Sequence, residues 1–271
     1  MAAKGIISFW IIPVFSGLVW LGMLLGMLLH WVVNTNRRHY PSMSASTSIA
    51  YISNVGAEEL KPLFIAGSVV TTVTLDLAFA AERWLRHRGR LVPNSSLGEN
   101  VLVVLTIVFA LVGTAGLILL SIFDVARHRK LHDIFLLLFV AGYLLSAVFI
   151  CWEYQRLGIK HREHRVLRAS FWVKLTFVLV ELVLAIVFAS TSFTRHTNVA
   201  AVFEWVVAFI FTFYILSFVI DLLPAIHTKD HSARFEKARD VEEAGAVTAG
   251  ASSSDGPYQR ELLMDRKPPS F

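Results

Sequence analysis

Residues 132–152 read HDIFLLLFVAGYLLSAVFICW, an apolar stretch with polar residues on either side. Such a stretch can cross a bilayer as one helix, because a helix rises about 1.5 Å per residue and the hydrocarbon core is about 30 Å thick. Five further stretches meet the same requirement. We therefore predict an all-α, polytopic transmembrane helical bundle with six spans, near residues 11–33, 63–82, 100–123, 132–152, 171–190 and 200–223.

The composition of the chain is typical of an integral membrane protein. Of its 271 residues 55% are hydrophobic and 17% are charged, and the mean hydropathy is +0.60, whereas soluble domains carry about 25% charged residues. The net charge of +5 does not indicate a nucleic-acid partner, since Lys and Arg stand beside the apolar stretches rather than along a soluble face. One cysteine excludes an intramolecular disulfide.

The distribution of Lys and Arg predicts the orientation of the bundle. One set of loops and termini carries 17 of these residues and the other set carries 7. Because positively charged loops resist translocation, we expect the richer set, which includes both termini, to be cytosolic.

The last part of the chain differs in composition from the rest. Residues 227–271 are rich in Ala, Gly, Ser and charge, with too few large apolar residues to form a core. We predict a six-helix transmembrane domain over residues 1–226 and a cytosolic, mostly disordered tail over 227–271.

Ionisable residues within the spans are the main functional candidates, because a charge near the bilayer centre costs about 2.5–3.5 kcal/mol. They are Asp76, Lys174, Glu181, Glu204 and Asp221. Asp76 and Lys174 lie at comparable depth, so we predict that they face the interior of the bundle, where they can pair. For Glu181, near mid-membrane, two interpretations stay open: a structural bond to a neighbouring helix, or handling of lipid headgroups or protons.

A second group of polar residues falls in the connections expected on the outer side. It comprises Asn54, Asp124, His128, His132 and Asp133. The four-residue spacing of Asp124, His128 and His132 could suit a transition metal. An HExxH arrangement is absent, however, and we favour capping, interfacial hydrogen bonds or recognition of a polar lipid head over a metal site. Asn54 suits a turn in an ordered outer loop that shapes the start of the second helix.

Arginines in the loops expected in the cytosol are candidates for contact with anionic headgroups. They are Arg86, Arg88, Arg90, Arg162, Arg165 and Arg168. The alternative is that they only fix the orientation of the bundle. Cys151, near the expected cytosolic end of the fourth helix, is a candidate for S-palmitoylation, with a plain buried thiol as the alternative.

Catalytic motifs are missing from the sequence. It contains no phosphate-binding glycine loop, nucleophile elbow, thiol redox pair or pair of catalytic carboxylates. We therefore predict a non-enzymatic protein without a cofactor.

Three segments together resemble the Frag/DRAM/Sfk family of six-span membrane proteins, in particular its fungal members. They are IAYISNVGA (49–57), FDVARHRKLHDIFLLLFVAGYLLSAVFICWEYQRLG (123–158) and NVAAVFEWVVAFIFTFYILSFVIDLLPA (198–225). The family usually has Asp where this chain has Asn54. The resemblance implies a non-enzymatic regulator of membrane lipids, because yeast Sfk proteins support phosphatidylinositol 4-kinase signalling and lipid asymmetry at the plasma membrane.

The functional hypothesis that follows is a multi-pass organiser of membrane lipids or of phosphoinositide signalling. Its expected partners are membrane lipids, including phosphoinositides, and a lipid-kinase complex, with the plasma membrane favoured over Golgi, ER or vacuole. The alternatives are a lipid transporter or scramblase, a component of GPI-anchor lipid remodelling, and an autophagy-related membrane adaptor.

Overall fold

The computed structural model describes residues 9–89, 91, 97–160 and 165–223, with side chains omitted for 160 and 165–167. Within these ranges the chain forms seven α-helices and no strand. They are α1 (Ile11–Leu29), α2 (Ile52–Val55), α3 (Lys61–His87), α4 (Leu97–Ile122), α5 (Arg129–Lys160), α6 (Arg165–Phe193) and α7 (Thr197–Leu222). A π-helical turn, His30–Asn34, continues α1.

Six of these helices are long and apolar enough to cross a membrane, which confirms the predicted all-α, six-span architecture. They are α1 with its π-helical turn and α3 to α7. Several run past the predicted spans, most clearly α5, which extends from 129 to 160 instead of from 132 to 152. Hydropathy detects only the apolar part of such a helix, and here the helix continues through charged residues. The predicted tail, 227–271, lies outside the described residues.

The spanning helices pack as a closed ring. Each contacts its neighbours in the order α1, α3, α4, α5, α6, α7 and back to α1, and α3 also touches α7 across the ring. Connections 35–60, 123–128 and 194–196 lie at one end, which we call the α2 end. Helices α3 and α5 end, and α4 and α6 begin, at the opposite end.

Aromatic side chains fill the centre of the ring. Trp20 of α1 is 3% exposed, packs edge-on against Phe211 of α7 and donates from its indole Nε1 to the Ala208 carbonyl at 2.8 Å. Phe211 also packs against Tyr143 of α5. Indole and phenol rings bring both apolar area and a hydrogen-bonding group, so these contacts tie α1, α5 and α7 together in the interior.

The backbones of α4 and α5 approach each other closely where glycines lie on both helices. A Cβ at Gly142 would lie 2.5 Å from the Gly113 nitrogen and 2.9 Å from the Phe109 carbonyl oxygen. Small residues at such a crossing allow the backbones of membrane helices to pack directly. Any larger side chain at 142 must push the two helices apart.

The substitution Gly142→Ala tests this crossing. We expect it to lower the free energy of unfolding by about 1–3 kcal/mol, since the added methyl group overpacks a backbone contact. Gly158→Ala is the matched control on the same helix, because nothing lies within 4 Å of its Cβ position. Unfolding of both variants in mixed detergent micelles gives the comparison. Equal stability of the two would contradict the close crossing.

Candidate functional site

Two features of the bundle stand out: a buried cluster of charges near the end opposite α2, and an apolar cleft that runs from mid-span toward the α2 end. We define the charge cluster as three carboxylates and three cations. Its members are Glu82, Arg83 and Arg86 of α3, Glu153 of α5, Lys174 of α6 and Asp221 of α7.

The first half of the charge cluster joins α3 to α5. Arg83 donates from both guanidinium Nη atoms to the two carboxylate oxygens of Glu153, a fork geometry that is strong for this pair. Arg86 binds Glu82 one turn earlier, with Nη2 at 2.7 Å from Oε1. Tyr154 donates to the same oxygen at 2.7 Å. Glu82 thereby gains partners from two helices.

The second half joins α6 to α7. The Lys174 ammonium lies 2.5 Å from Oδ2 of Asp221, and Ser170 donates to the other oxygen of that carboxylate. Lys174 also lies 4.2 Å from the centre of the Phe218 ring and 5.4 Å from that of Tyr154. It is fully buried, so carboxylate and aromatic faces replace the water that an ammonium would otherwise need.

The predicted pairing of Asp76 with Lys174 is wrong. The partner of Lys174 is Asp221, whereas Asp76 accepts from the Thr114 hydroxyl at 2.8 Å. The reason is the order of the helices in the ring: α6 neighbours α5 and α7, while Asp76 on α3 faces α4. The prediction that Lys174 points into the bundle is confirmed.

The arginines predicted to contact lipid headgroups differ in their exposure. Arg86 is 6% exposed and bound to Glu82, so its assignment to headgroup contact is wrong, because its charge is already neutralised inside the bundle. Arg88 and Arg168 are exposed, and Arg88 stacks over the Trp84 ring at 5.0 Å. Arg90, Arg162 and the side chain of Arg165 lie outside the described residues.

Sequence reasoning missed Glu82, Arg83 and Glu153. The predicted spans ended at 82 and 152, which placed these residues at span ends or in loops. A signal was present, since Glu82 and Arg86 stand four residues apart, the spacing at which opposite charges meet on a helix. That spacing indicates that α3 continues beyond its apolar stretch.

The apolar cleft lies mainly between α5, α6 and α7. It contains about 1000 Å³ of space not filled by protein atoms, including its open mouth. Apolar side chains dominate its lining, and none of the charge cluster lines it. The lining includes Trp20, Phe64, Leu136, Phe139, Tyr143, Ala147, Phe177, Ala185, Phe188, Val207, Phe211 and Tyr214.

Two carboxyl groups line this apolar cleft, and they differ in their bonding. Glu204 accepts from the Ile52 backbone amide at 2.8 Å. Glu181, at the middle of α6, has a buried oxygen, Oε1, that finds no hydrogen-bond partner in the described part of the chain. The hydroxyl of Tyr214, also in the lining, is likewise without a partner among the described residues.

The loop before α3 forms one end of the cleft and is held by α7. Ile52 and Ser53 of α2 line the cleft. Trp205 donates to the Ala50 carbonyl at 2.9 Å, and Asn198 accepts from the Ser48 amide at 2.7 Å. These bonds, with that of Glu204, make α2 an ordered wall of the cleft.

Asn54 has a structural position in this loop. It is buried, its Oδ1 accepts from the Tyr51 amide at 3.0 Å and its amide donates to the Ser42 hydroxyl at 3.0 Å. The expected ordered turn is present. Both polar ends of the side chain are used within the loop, which explains why a neutral amide serves at this position.

No side-chain hydrogen bond or ion pair joins the remaining predicted outer residues to one another in the described part of the chain, although backbone bonds link His128 to Asp124 at 3.0 Å and His132 to His128 at 2.9 Å. Asp124 is buried and binds Lys61 at 2.5 Å; burial raises its pKa, but the bonds from Lys61 and the Arg127 amide and the two nearby cations outweigh this and lower it below the usual value. His132 is buried and bonds the Phe123 carbonyl at 3.0 Å. His128 and Asp133 are exposed. No set of metal ligands gathers among the described residues.

Cys151 is 6% exposed and belongs to the hydrophobic core. An acyl chain attached to this thiol would have to occupy packed interior rather than lipid. The candidate palmitoylation site is therefore contradicted, and the buried-thiol alternative holds.

Comparison with known proteins identifies the family to which this chain belongs. Residues 8–225 match the family model described as the Frag1/DRAM/Sfk1/Cwh43P N-terminal domain. "Protein sfk1" of Schizosaccharomyces pombe is 30% identical over 254 residues, which cover 93% of this chain and 74% of that protein. "Protein SFK1" of Saccharomyces cerevisiae is 26% identical over 175 residues, 55% of this chain and 49% of the relative. No solved structure matches.

The ion pair between α6 and α7 can be tested by comparing a single with a double substitution. Lys174→Leu leaves Asp221 buried without its cation, and we expect a loss of about 3–5 kcal/mol in unfolding free energy. The double variant Lys174→Leu/Asp221→Leu should recover most of that loss, because no unpaired charge remains.

Unfolding of the variants in mixed micelles provides the readout. Arg168→Leu on the same helix is the control, since its side chain is exposed and a change within about 0.5 kcal/mol is expected. If the single variant were as stable as the double, the charge pair would have no role in joining the two helices.

Proposed function

Because this chain belongs to the Frag1/DRAM/Sfk1/Cwh43P family of multi-pass membrane proteins, we propose that it is a non-enzymatic regulator of membrane lipid organisation that holds a lipid chain in its apolar cleft. The observation that carries this proposal is the cleft itself. Ligand sites are concave and mostly apolar, and the lining of the cleft is almost entirely apolar. In a bilayer, the available occupant of such a space is hydrocarbon.

Binding is favoured over transfer of lipid across the membrane. The lining of the cleft reaches Ala147, Phe177 and Tyr214 and stops short of the charge cluster. Beyond it, Lys174 is paired with Asp221 and packs against Tyr154 and Phe218. A scramblase needs a polar path for headgroups through the full thickness of the membrane, and this packed cluster lies in the way.

The finer assignment concerns phosphoinositides and location. We propose that both termini face the cytosol at the plasma membrane, where Arg88 and Arg168 contact anionic headgroups and the segment after α7 meets a phosphatidylinositol 4-kinase assembly. Both arginines are exposed near the end opposite α2, and each basic residue near an anionic leaflet gains about 1 kcal/mol. The greater number of Lys and Arg on that side supports the orientation.

Filling the cleft tests the proposal. Ala185→Trp places an indole in the lining of the cleft, and we expect the purified protein to retain much less co-purified lipid. In fungal cells that lack the endogenous protein, the variant should fail to restore the distribution of phosphatidylinositol 4-phosphate and the lipid asymmetry of the plasma membrane.

Val183→Trp is the matched control, because residue 183 lies on the same helix with a side chain that is 59% exposed. It should retain lipid and restore both cellular readouts. The proposal fails if Ala185→Trp reaches the membrane at normal levels and performs as well as the control.

A further inference from the structure

The ionisable acids and bases in the lining of the apolar cleft are of one kind. Among the described residues the lining contains Glu181 and Glu204 and no Lys, Arg or His. Neither glutamate forms an ion pair with a described residue. Asp221 and Glu153, by contrast, are each paired with a cation in the charge cluster. The cleft is therefore an apolar site whose acidic groups have no cation of the described chain beside them.

Of the two glutamates, Glu204 lies nearer the α2 end. Seven residues, or about 10 Å of helix, separate it from the start of α7 at Thr197. Twelve residues, or about 18 Å, separate Glu181 from the end of α6 at Phe193. Because a charge costs most at the centre of the bilayer, a charged group of a ligand is placed more favourably at Glu204.

The backbone of α2 holds the Glu204 carboxyl in the wall of the cleft. Its Oε2 accepts from the Ile52 amide at 2.8 Å, and Ile52 and Ser53 line the cleft beside it. An ionised carboxylate has two oxygens with about four lone-pair sites. The bond to Ile52 therefore leaves the carboxyl able to accept from a ligand as well.

Below Glu204 the lining contributed by α7 is apolar apart from one phenol. It consists of Val207, Ala208, Phe211 and Tyr214 and extends over ten residues, or about 15 Å. Asp221, farther along α7, does not line the cleft and is bound to Lys174. A ligand that fits this space has its polar group toward the α2 end and its hydrocarbon toward mid-span.

We propose that the cleft binds a lipid amine, an amphiphile with a primary amino group and no phosphate, whose nitrogen pairs with Glu204 while its chain lies along α7 toward Tyr214. This inference rests on the proposed function and assigns the chemical class of its ligand. An ammonium group supplies three donors and no acceptor, which complements a carboxylate in an otherwise apolar wall.

The pair forms whichever partner carries the proton at the start. An ammonium ion meets a carboxylate directly, and a neutral amine that meets a carboxylic acid takes its proton, which gives the same ammonium and carboxylate. An alcohol brings no charge, so its bond to the carboxylate is the weaker one. A phosphate brings negative charge into a cleft with two carboxyl groups, and like charges disfavour binding.

Matched photoprobes test the inference on the full-length protein in nanodiscs of zwitterionic lipid. The probes are an octadecylamine with a diazirine on its chain, the corresponding alcohol and the corresponding phosphate monoester, each normalised to its amount in the disc. The amine should label peptides of α6 and α7 at roughly tenfold lower concentration than the alcohol, because it forms a charged pair. The phosphate should label more weakly than the alcohol.

Isosteric substitutions locate the effect. Glu204→Gln removes the charge but keeps a carbonyl oxygen for the Ile52 amide, so labelling by the alcohol should persist while the preference for the amine falls to about onefold. Glu181→Gln should keep most of the preference, because the amine is placed nearer the α2 end. Asp76→Asn is the matched control, since Asp76 is a carboxyl within a span that bonds Thr114 and does not line the cleft.

The outcomes separate this inference from the proposed function. Equal labelling by amine and alcohol, stronger labelling by the phosphate, or a preference that survives Glu204→Gln overturns the assignment of a lipid amine, while the cleft still takes a chain. Loss of the preference in Asp76→Asn overturns it as well. Absence of labelling in the cleft by every probe overturns both.

Discussion

A charged side chain in hydrocarbon finds no water to solvate it, and this constraint organises the bundle. Charges that the spanning helices carry must meet opposite charges on neighbouring helices, or the desolvation cost is not offset. The charge cluster meets this requirement by pairing α3 with α5 and α6 with α7. The Tyr154 ring lies between the two halves, with its centre 5.2 Å from Cζ of Arg86 and 5.4 Å from Nζ of Lys174. The cluster thereby fixes α3 and α5, which are not neighbours in the ring, and α6 and α7, which are, at one level of the membrane.

The same constraint explains why the apolar cleft lies on the α2 side of the charge cluster. α6 is the least buried of the spanning helices, and Lys174 and Ser170 tie it to α7 on the side of the cluster. From Phe177 onward its inward side chains line the apolar cleft instead of bonding α7. At the α2 end, Glu204 and Trp205 hold the loop that forms the other wall. With the proposed orientation, the cleft opens in the outer half of the bilayer and the exposed arginines face the inner leaflet, so one bundle meets different lipids on its two sides.

Much of the fold follows from the sequence, because the length and apolarity of a spanning helix are local properties. The six spans and the burial of Lys174 are of this kind. The partner of Lys174 does not follow from local sequence, because residues on helices that are not in contact can lie at the same depth in the membrane. The order of the helices in the ring selects Asp221 rather than Asp76. The assignment of Arg86 to headgroup contact is wrong because α3 continues beyond its apolar stretch. The arginine therefore lies inside the bundle beside Glu82. The cleft depends on distances between helices, which no local sequence pattern encodes. The sequence indicated it only through Glu181, an ionisable residue near mid-membrane.

In the proposed function, this membrane bundle holds lipid in the cleft between α5, α6 and α7. The most direct test is a cryo-EM map of the protein taken from its native membrane in polymer nanodiscs, without exposure to detergent. A lipid in the site would give elongated density along Phe177, Ala185 and Phe211, ending at the level of Glu181 and Tyr214. A cleft closed by direct packing of α6 on α5 and α7, with no density between them, would contradict the account.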